Sequence, residues 1–380
     1  MPLDYETLRV IWWALLGGLL IGFAIMDGFD MGVAIWLPWV SKSDLERRVV
    51  INTIGPTWEG NQVWFILGGG AIFAAWPALY AVSFSGFYLA MLVVLLALIL
   101  RPVGFKYRSK LQDKRWRAGW DAALFISGFV PALIFGVALG NVLQGVPFHF
   151  DDTLRVFYTG SFWGLLNPFA LLCGLVSVAM LAMHGANFLV VKTEASIKQR
   201  AIRYSRLSAL LFFVLFTVAG LWTAYGINGY VISGTLLHDG PSTPLHKTVV
   251  PQLGAWLYHY RDYPWTIVAP LMGFLGAVLS FSLVSIERAK MAFIGSSISI
   301  FGVVATAGVS MFPFLLPSSS DPSQSLVVWD SSSSQLTLFI MLIATAIFLP
   351  IILAYTAWVY RVLRGKVTFD FIKKNQESVY

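Results

Sequence analysis

Nine long segments of mainly apolar residues alternate with short charged or turn-rich connections along this chain of 380 residues. At about 1.5 Å of rise per residue, an apolar helix of roughly 20 residues crosses the hydrocarbon core of a bilayer. The pattern therefore predicts an all-α integral membrane protein, a single polytopic domain over residues 1–380 with nine transmembrane helices. The helices are expected near residues 8–37, 59–78, 81–101, 120–142, 163–186, 206–226, 264–286, 291–313 and 335–360.

The composition also indicates a membrane protein. Apolar residue types make up 57% of the chain and charged types only 12%, whereas a soluble domain averages about 25% charged residues. The first residues include Asp4 and Glu6, where a signal peptide would need basic residues. We therefore expect the first helix to remain in the mature protein.

The basic residues are distributed unequally between the connections. Of 26 lysines and arginines, 22 follow odd-numbered spans, the C-terminal tail included, and only Arg9, Arg155, Lys247 and Arg261 fall on the other side. Cytoplasmic connections of membrane proteins are enriched in lysine and arginine. The bias predicts an N-terminus outside and a C-terminus in the cytoplasm. It also accounts for the net charge of +7 without a nucleic-acid partner.

Two carboxylates interrupt the apolar pattern of the first span. Asp27 and Asp30 are three residues apart, which places them on the same face of a helix. A carboxylate at the bilayer centre costs roughly 2.5–3.5 kcal/mol on insertion scales, so such residues normally face a polar interior. In the predicted orientation, both acids lie in the cytoplasmic half of the span.

A third acid, Glu59, opens the second span from the same side. Its neighbours Trp58, Asn61 and Gln62 add hydrogen-bonding groups that hold waters or orient a carboxylate. Three acids with polar neighbours near one membrane face predict proton uptake from the cytoplasm by at least one of them.

A structural alternative remains open, in which these acids tie helix ends together by pairing with Arg47, Arg48 or Arg101. Arg101 precedes a proline and ends the third span at the membrane interface. It either pairs with an acid or contacts a quinone or lipid headgroup. An anchoring arginine that extends to the interface is the commoner explanation for such a residue, and we favour it.

Haem and metal ligands are scarce in the predicted spans. His184 is the one histidine within a span, and a lone histidine is more often a hydrogen-bonded packing residue than an axial haem ligand. The single cysteine, Cys173, excludes an internal disulfide and a cysteine-rich metal centre. We therefore expect this chain to bind no haem and no metal.

Several glycines have the small-xxx-small spacing that lets helices approach closely in a membrane. The run of three glycines at residues 68–70 also predicts a packing surface within the second span. The spaced pairs are Gly18 and Gly22, Gly28 and Gly32, and Gly136 and Gly140.

A series of short motifs runs through the chain in order. The two that hold the acids are Asp27-Gly28-Phe29-Asp30-Met31-Gly32 and Trp58-Glu59-Gly60-Asn61-Gln62-Val63-Trp64. The others lie at residues 8–13, 46–48, 73–77, 84–88, 140–148, 311–314 and 329–338. Taken together, in a chain of this size, these motifs are highly specific. The chain resembles subunit II of the bacterial cytochrome bd quinol oxidases over nearly its whole length.

The resemblance implies a haem-free subunit of a complex that oxidises quinol and reduces dioxygen to water in the bacterial cytoplasmic membrane. The complex builds a proton gradient without pumping, because it takes its chemical protons from the cytoplasm. Two b-type haems and one d-type haem are implied in the partner, subunit I, with none in this chain. The implied fold has nine helices, arranged as two four-helix bundles plus one peripheral helix.

The resemblance also implies a role for the acids, since the family's proton path to subunit I uses the positions that are Asp27, Asp30 and Glu59 here. Two residues depart from the family pattern. Many relatives have aspartate where this chain has Glu59, and Lys106 stands where an acid is expected, so a salt bridge there would be absent. The choice of ubiquinol or menaquinol, a structural quinone or lipid on this chain, and a small single-helix accessory subunit stay open.

Two other hypotheses compete with the oxidase subunit. An autonomous proton-coupled transporter would need a midplane substrate site built from discontinuous helices, whereas the acids here lie toward one face. A haem-bearing cytochrome would need a second intramembrane histidine opposite His184.

Overall fold

The computed structural model describes residues 2–375 and 379–380. The described chain forms thirteen α-helices, joined in places by short antiparallel hairpins. The helices are α1 (Tyr5–Val40), α2 (Asp44–Ile54), α3 (Trp58–Ala75), α4 (Pro77–Gly86), α5 (Tyr88–Tyr107), α6 (Lys114–Gln144), α7 (Pro168–Lys192), α8 (Ala195–Gly226), α9 (Tyr258–Asp262), α10 (Val268–Ser285), α11 (Ala289–Met311), α12 (Gln335–Val362) and α13 (Phe369–Lys374). The paired strands are β1 (Phe148–Phe150) with β2 (Val156–Tyr158), β3 (Asn228–Ser233) with β4 (Thr248–Leu253), and β5 (Phe314–Leu316) with β6 (Leu326–Val327).

Eight helices in the described part of the chain are long and apolar enough to cross a membrane, namely α1, α5, α6, α7, α8, α10, α11 and α12. The second predicted span corresponds to α3, which has 18 residues. Its first turn and a half contains Glu59, Asn61 and Gln62, so it is less apolar than the other eight. The prediction of a mainly helical integral membrane protein is confirmed.

The helices differ in extent from the predicted spans. The segment predicted at 81–101 is not one continuous helix, because the helix is interrupted at Phe87 between α4 and α5. The span predicted from residue 163 begins as a helix only at Pro168 and continues to Lys192. Helix α8 begins at Ala195, well before residue 206. Hydropathy marks the apolar middle of a helix, whereas hydrogen bonding continues the helix into its polar ends.

The long helices run alternately in opposite directions, which defines two ends of the molecule. The three hairpins and the start of α1 lie at one end, the hairpin end, and α2 and α13 lie at the other, the α2 end. Buried apolar clusters follow one another along this axis. One surrounds Trp76 and Trp256 at the hairpin end, and another surrounds Phe105 and Phe188 at the α2 end.

Helices α1 and α7 are central. Helix α1 packs against α3, α6, α7 and α11, and α7 packs against α6, α8 and α11. Helices α10 and α11 pair closely with each other, and α5 packs on α6. Helix α12 lies outside this array and contacts α1 and α3. This arrangement brings α12 beside the part of α1 that holds the acids.

The closest approach between the two central helices is at Gly32 and Gly185. A Cβ atom on Gly32 would lie 2.8 Å from the Cα atom of Gly185 and closer still to the carbonyl oxygen of Leu181. Ordinary carbon contacts are about 3.5–4.0 Å, so only glycine fits here. The close packing predicted from Gly28 and Gly32 is confirmed.

The other glycine predictions have mixed outcomes. Gly136 and Gly140 pack against α7 near Cys173, and Gly22 packs against the ring of Trp64, as predicted. A Cβ atom on Gly18 would meet no atom within 4 Å, so that prediction is wrong among the described residues. The same holds for Gly69 and Gly70, and Gly68 meets only the side chain of Leu20 at 4.0 Å. Among the residues that the structure describes, 68–70 therefore do not form a packing surface.

Arg9, one of the few basic residues near the hairpin end, is fully buried. Its guanidinium carbon lies 3.6 Å from the centre of the Tyr5 ring. It donates hydrogen bonds to Ser332 Oγ at 2.8 Å and to the carbonyl oxygen of His238 at 2.5 Å. The long connection between α8 and α10 is thereby fastened to the first helix.

Lys247 and Asp330 form a buried ion pair at the hairpin end. The distance from Nζ to Oδ2 is 2.5 Å, and the side chains are 2% and 3% exposed. Burial raises the pKa of Asp330, although Lys247 and Arg9 oppose the shift. Burial also lowers the pKa of Lys247. Backbone groups complete the pair, since Asp330 accepts from the Val327 amide and Lys247 donates to the Pro244 carbonyl.

Candidate functional site

The first of the two intramembrane acids, Asp27, is fully buried and paired with Arg101. Nη1 of Arg101 donates to Oδ1 of Asp27 at 2.6 Å, and the arginine side chain is only 1% exposed. Nη2 donates to the carbonyl oxygen of Ser127 in α6 at 3.3 Å. The interpretation of Arg101 as an interfacial anchor is therefore wrong, and the alternative, pairing with an acid, is confirmed.

The second acid, Asp30, is also fully buried, one helical turn further along α1. Nδ2 of Asn61 in α3 donates to Oδ2 of Asp30 at 2.7 Å. The hydroxyl group of Tyr360 in α12 donates to Oδ1 of Asn61 at 2.6 Å. A carboxylate, a carboxamide and a phenol thus form a continuous hydrogen-bonded chain across three helices.

Each carboxylate keeps one oxygen, Oδ2 of Asp27 and Oδ1 of Asp30, without a hydrogen-bond partner in the described part of the chain. A buried polar atom that forms no hydrogen bond is costly, and native structures rarely retain one without a reason. Asp27 and Arg101 are the charged groups that act on Asp30. The arrangement therefore has two fixed carboxylates, one fixed cation and two oxygens free to accept a proton.

Aromatic rings pack against one another beside this site. The ring of Phe29, between the two acids in sequence, stacks on Phe188 with centroids 4.1 Å apart and meets the ring of Tyr360 edge-on at 6.3 Å. On the side of α2, a cavity of about 10 Å³ borders Arg101 and Ser127. That volume holds about one water molecule. The site therefore has room for about one water molecule beside Arg101, on the side that α2 covers.

The structure does not bring Glu59 to the two buried acids. Glu59 is exposed and forms no ion pair or hydrogen bond within the described residues. Residues two apart in a helix do not face the same way. Because Asn61 is turned toward Asp30, Glu59 is turned to the outside of the helix array.

Trp58 and Gln62, predicted as supporting polar residues, do not join the hydrogen-bonded chain. Trp58 is buried against Phe105, with ring centroids 5.6 Å apart. Gln62 is half-buried and has no hydrogen-bond partner among residues 2–375 and 379–380. Of the predicted amide and indole groups around the acids, Asn61 is the one that contacts an acid.

The other two arginines suggested as partners of the acids bind elsewhere. Arg47 pairs with Asp121 at 2.9 Å. Nε of Arg48 donates to the backbone oxygen of Tyr380 at 3.1 Å. Of the three arginines considered, Arg101 is the one that pairs with an acid of α1.

Lys106 is one of the two positions at which this chain departs from the family pattern. Lys106 is exposed, whereas Arg108, two residues later, is 1% exposed and forms ion pairs with Asp121 at 2.5 Å and with Asp44 at 2.9 Å. Ion pairing at this end of α5 is therefore carried by Arg108.

Both ring nitrogens of His184 form hydrogen bonds. Nδ1 lies 2.8 Å from Oγ of Ser296, and Nε2 lies 3.0 Å from the carbonyl oxygen of Ile25. The imidazole ring also stacks on Phe293 at 4.4 Å. These contacts are those of a packing histidine. Within the described ranges, no group of three or more His, Cys, Asp or Glu side chains is placed to hold a metal ion.

Tyr360 is the site residue that the sequence prediction did not include. It lies near the end of the last span, where tyrosine usually belongs to the interfacial aromatic belt. The residues on either side, Val359 and Arg361, give no signal of an inward-facing hydroxyl group. The half-buried position of Tyr360 against α1 and α3 becomes visible only when α12 is placed.

Comparison with known proteins agrees with this architecture. The family model for cytochrome bd terminal oxidase subunit II matches residues 8–363. The chain is 51% identical over 378 residues to a probable cytochrome oxidase subunit 2 of Haemophilus influenzae. It is 48% identical over 378 residues to the cytochrome bd-I ubiquinol oxidase subunit 2 of Escherichia coli K12, and both comparisons cover 100% of each chain.

A solved structure has the same fold. A chain in the structure of bd oxidase from Geobacillus thermodenitrificans matches with a TM-score of 0.70 at 16% identity, covering 94% of this chain and 98% of that one. The family match over residues 8–363 and the full-length identity near one half are decisive. This chain belongs to the cytochrome bd terminal oxidase subunit II family.

Proposed function

We propose that this chain is the haem-free subunit II of a quinol:dioxygen oxidoreductase, where it stabilises the haem-bearing subunit I and delivers cytoplasmic protons for oxygen reduction. Membership of the family supports a place in an oxidase complex. The Escherichia coli relative is a subunit of a ubiquinol oxidase, which supports quinol as the reductant. The complex would contribute to the proton gradient without pumping.

The redox chemistry of the complex is supplied by haems, two of b type and one of d type, which we place in subunit I. The hydrogen bonds on both ring nitrogens of His184 support this division of labour. The role proposed for this chain is to hold and move protons. Its partners would be subunit I and membrane lipids, with quinol and dioxygen as substrates of the complex.

The proposed membrane arrangement has nine spans in one domain, with α3 as the ninth. The packing of α1, α3, α5 and α6, and of α7, α8, α10 and α11, supports two four-helix bundles with α12 at the periphery. The basic residues concentrated at the α2 end support a cytoplasmic position for that end. The N-terminus would then lie outside the bacterial cytoplasmic membrane.

The buried acid pair is the observation that carries the proton-delivery proposal. Asp27 and Asp30 are completely buried, and each keeps one carboxylate oxygen without a partner among the described residues. A cavity of about 10 Å³ borders Arg101, the partner of Asp27, and residues of α2 line its other side. A proton would enter through this region and be held at the acids. The outward-facing Glu59 would exchange protons with the partner subunit.

Substitution of single acids tests this function in the assembled complex. Glu59→Gln and Asp30→Asn should each lower quinol-driven oxygen consumption about tenfold or more, as loss of a proton-transfer group does. The reduced-minus-oxidised haem spectrum should be unchanged. Asp152→Asn, which alters an exposed acid at the hairpin end, is the matched control and should retain full activity.

The outcomes are distinct. Loss of the haem spectrum in Glu59→Gln would mean that this residue is structural. Full activity with an intact spectrum in both acid variants would show that proton delivery is the wrong assignment. Purification of a tagged chain from its native membrane tests the complex itself, because a colourless chain without a partner would contradict an oxidase subunit.

A further inference from the structure

The hydroxyl group of Tyr360 donates a hydrogen bond that fixes the orientation of the Asn61 amide. It donates to Oδ1 of Asn61 at 2.6 Å, and Nδ2 of the same amide donates to Oδ2 of Asp30 at 2.7 Å. The Tyr360 ring is held edge-on against Phe29. The phenol is therefore fixed both by its hydroxyl group and by its ring.

A carboxamide has one accepting end and one donating end. Because Tyr360 donates to the oxygen of Asn61, the NH₂ group of Asn61 must face Asp30. The reversed amide would direct its carbonyl oxygen at the carboxylate, and two acceptors would then meet unless Asp30 carried a proton on Oδ2. The Tyr360 bond thus keeps Oδ2 of Asp30 an acceptor.

The second oxygen of Asp30 is left as the position for a proton. Oδ1 has no partner in the described part of the chain, and the same is true of Oδ2 of Asp27 on the same helix face. The charged or titratable groups around Asp30 are Asp27 on α1, Arg101 on α5 and Tyr360 on α12. On α7, His184 bonds to the backbone of α1 and not to either acid.

We propose that Tyr360 is a positioning residue that holds the Asn61 amide so that Asp30 takes up and releases its proton at Oδ1. The inference rests on the proposed proton-delivery function and adds to it the residue that sets the proton's position. Tyr360 itself transfers no proton in this scheme. Its effect reaches Asp30 only through Asn61.

Tyr360→Phe in the complete oxidase complex removes the hydroxyl group and keeps the ring against Phe29. Turnover should fall about 2- to 10-fold, the factor equivalent to one hydrogen bond. The infrared carbonyl band of the protonated Asp30 carboxyl, identified by its loss in Asp30→Asn and by its shift in D₂O, should change frequency. Tyr355→Phe, on the same helix with a side chain 63% exposed, is the matched control and should change neither quantity.

A second variant shows whether the effect passes through the amide. In an Asn61→Ala background Tyr360 has no amide to hold, so adding Tyr360→Phe should change neither turnover nor the carboxyl band further. Independent, multiplicative losses in the double variant would overturn the proposal. An unchanged band and full turnover in Tyr360→Phe alone would overturn it as well, and so would loss of the assembled complex, which would give the hydroxyl group a folding role.

These results separate the inference from the function on which it rests. If Asp30→Asn slows turnover while Tyr360→Phe changes nothing, only the positioning role fails. If Asp30→Asn retains full turnover while Tyr360→Phe still shifts the carboxyl band, the positioning role stands and proton delivery through Asp30 fails.

Discussion

Replacement of Arg101 by glutamine tests the buried ion pair most directly. The variant removes the cation that faces Asp27, whose side chain is 0% exposed, and leaves the carboxylate in the interior without a counter-charge. Asp27→Asn makes the complementary change and leaves the guanidinium group unpaired. The double variant removes both charges.

The expected loss in free energy of unfolding differs between the two single variants, because the buried group that remains is a carboxylate in one and a guanidinium group in the other. An unpaired carboxyl in the interior takes up a proton, which at pH 7 costs about 4 kcal/mol for an ordinary aspartate pKa of ~3.9. The folded Arg101→Gln variant would then bind one proton more than its unfolded chain, so its stability should fall by about 1.4 kcal/mol for each unit of rising pH. A guanidinium group cannot lose its proton. Asp27→Asn should therefore cost about 3–5 kcal/mol with no such slope.

Unfolding of the purified complex in lipid bicelles, at about pH 6, pH 7 and pH 8, measures these slopes. The double variant Asp27→Asn/Arg101→Gln should recover most of the loss, because replacing both partners of a buried pair is often nearly neutral. Arg47→Gln is the control, since its pair with Asp121 is partly exposed, with the arginine side chain 31% exposed, and should cost about 1 kcal/mol or less. A pH-independent loss in Arg101→Gln, or a double variant as unstable as either single one, would refute the reasoning.

Two further predictions concern packing and the hairpin end. Gly32→Ala should force α1 and α7 apart by about 1 Å and destabilise the complex by about 1–3 kcal/mol. The control Gly17→Ala, which places the added methyl group more than 4 Å from any other atom considered, should leave the midpoint of thermal unfolding unchanged. Equal midpoints in the two variants would contradict the close approach of α1 and α7. Burial raises the pKa of Asp330 above its ordinary value of 3.8, so this carboxyl stabilises the fold below about pH 4 and loses that contribution as the pH rises. Lys247→Gln removes the cation that opposes the shift, so the variant should lose more stability than the wild type as the pH rises above about 4. Parallel stability curves would count against the buried pair.

The acids of the site were predictable from the sequence because a charge in an apolar helix is conspicuous. Asp27 and Asp30 stand out for that reason, and Asn61 stands out as a polar residue at the start of a span. Their partners were harder to predict. The sequence offers Arg101 only as one of three possible partners and favours an interfacial anchor for it, because nothing local indicates a contact between positions 74 residues apart.

The fold, like the site, was predictable from the sequence only in part. Hydropathy identified the apolar middle of each long helix, but the interruption at Phe87 leaves the apolar pattern unbroken. Glycine spacing identified the contact at Gly32, yet Gly18 has the same spacing and no neighbour within 4 Å. Spacing defines a helix face, and only the placement of the other helices decides what covers that face.

The ion pair between Asp27 and Arg101 also has a consequence for how the chain is made. The ribosome must add 74 residues after Asp27 before Arg101 exists, which takes about 4–15 s at roughly 5–20 residues per second. During that interval the first helix carries its acids without a counter-charge, so it must be shielded from lipid or hold extra protons until α5 emerges. Tyr360 follows Asn61 by 299 positions, so the hydrogen bond between them forms later still. The hydrogen-bonded chain of Asp30, Asn61 and Tyr360 is thus completed only when α12, the last span, has been synthesised. A nascent chain that stops before α12 leaves Oδ1 of Asn61 without the donor that Tyr360 supplies.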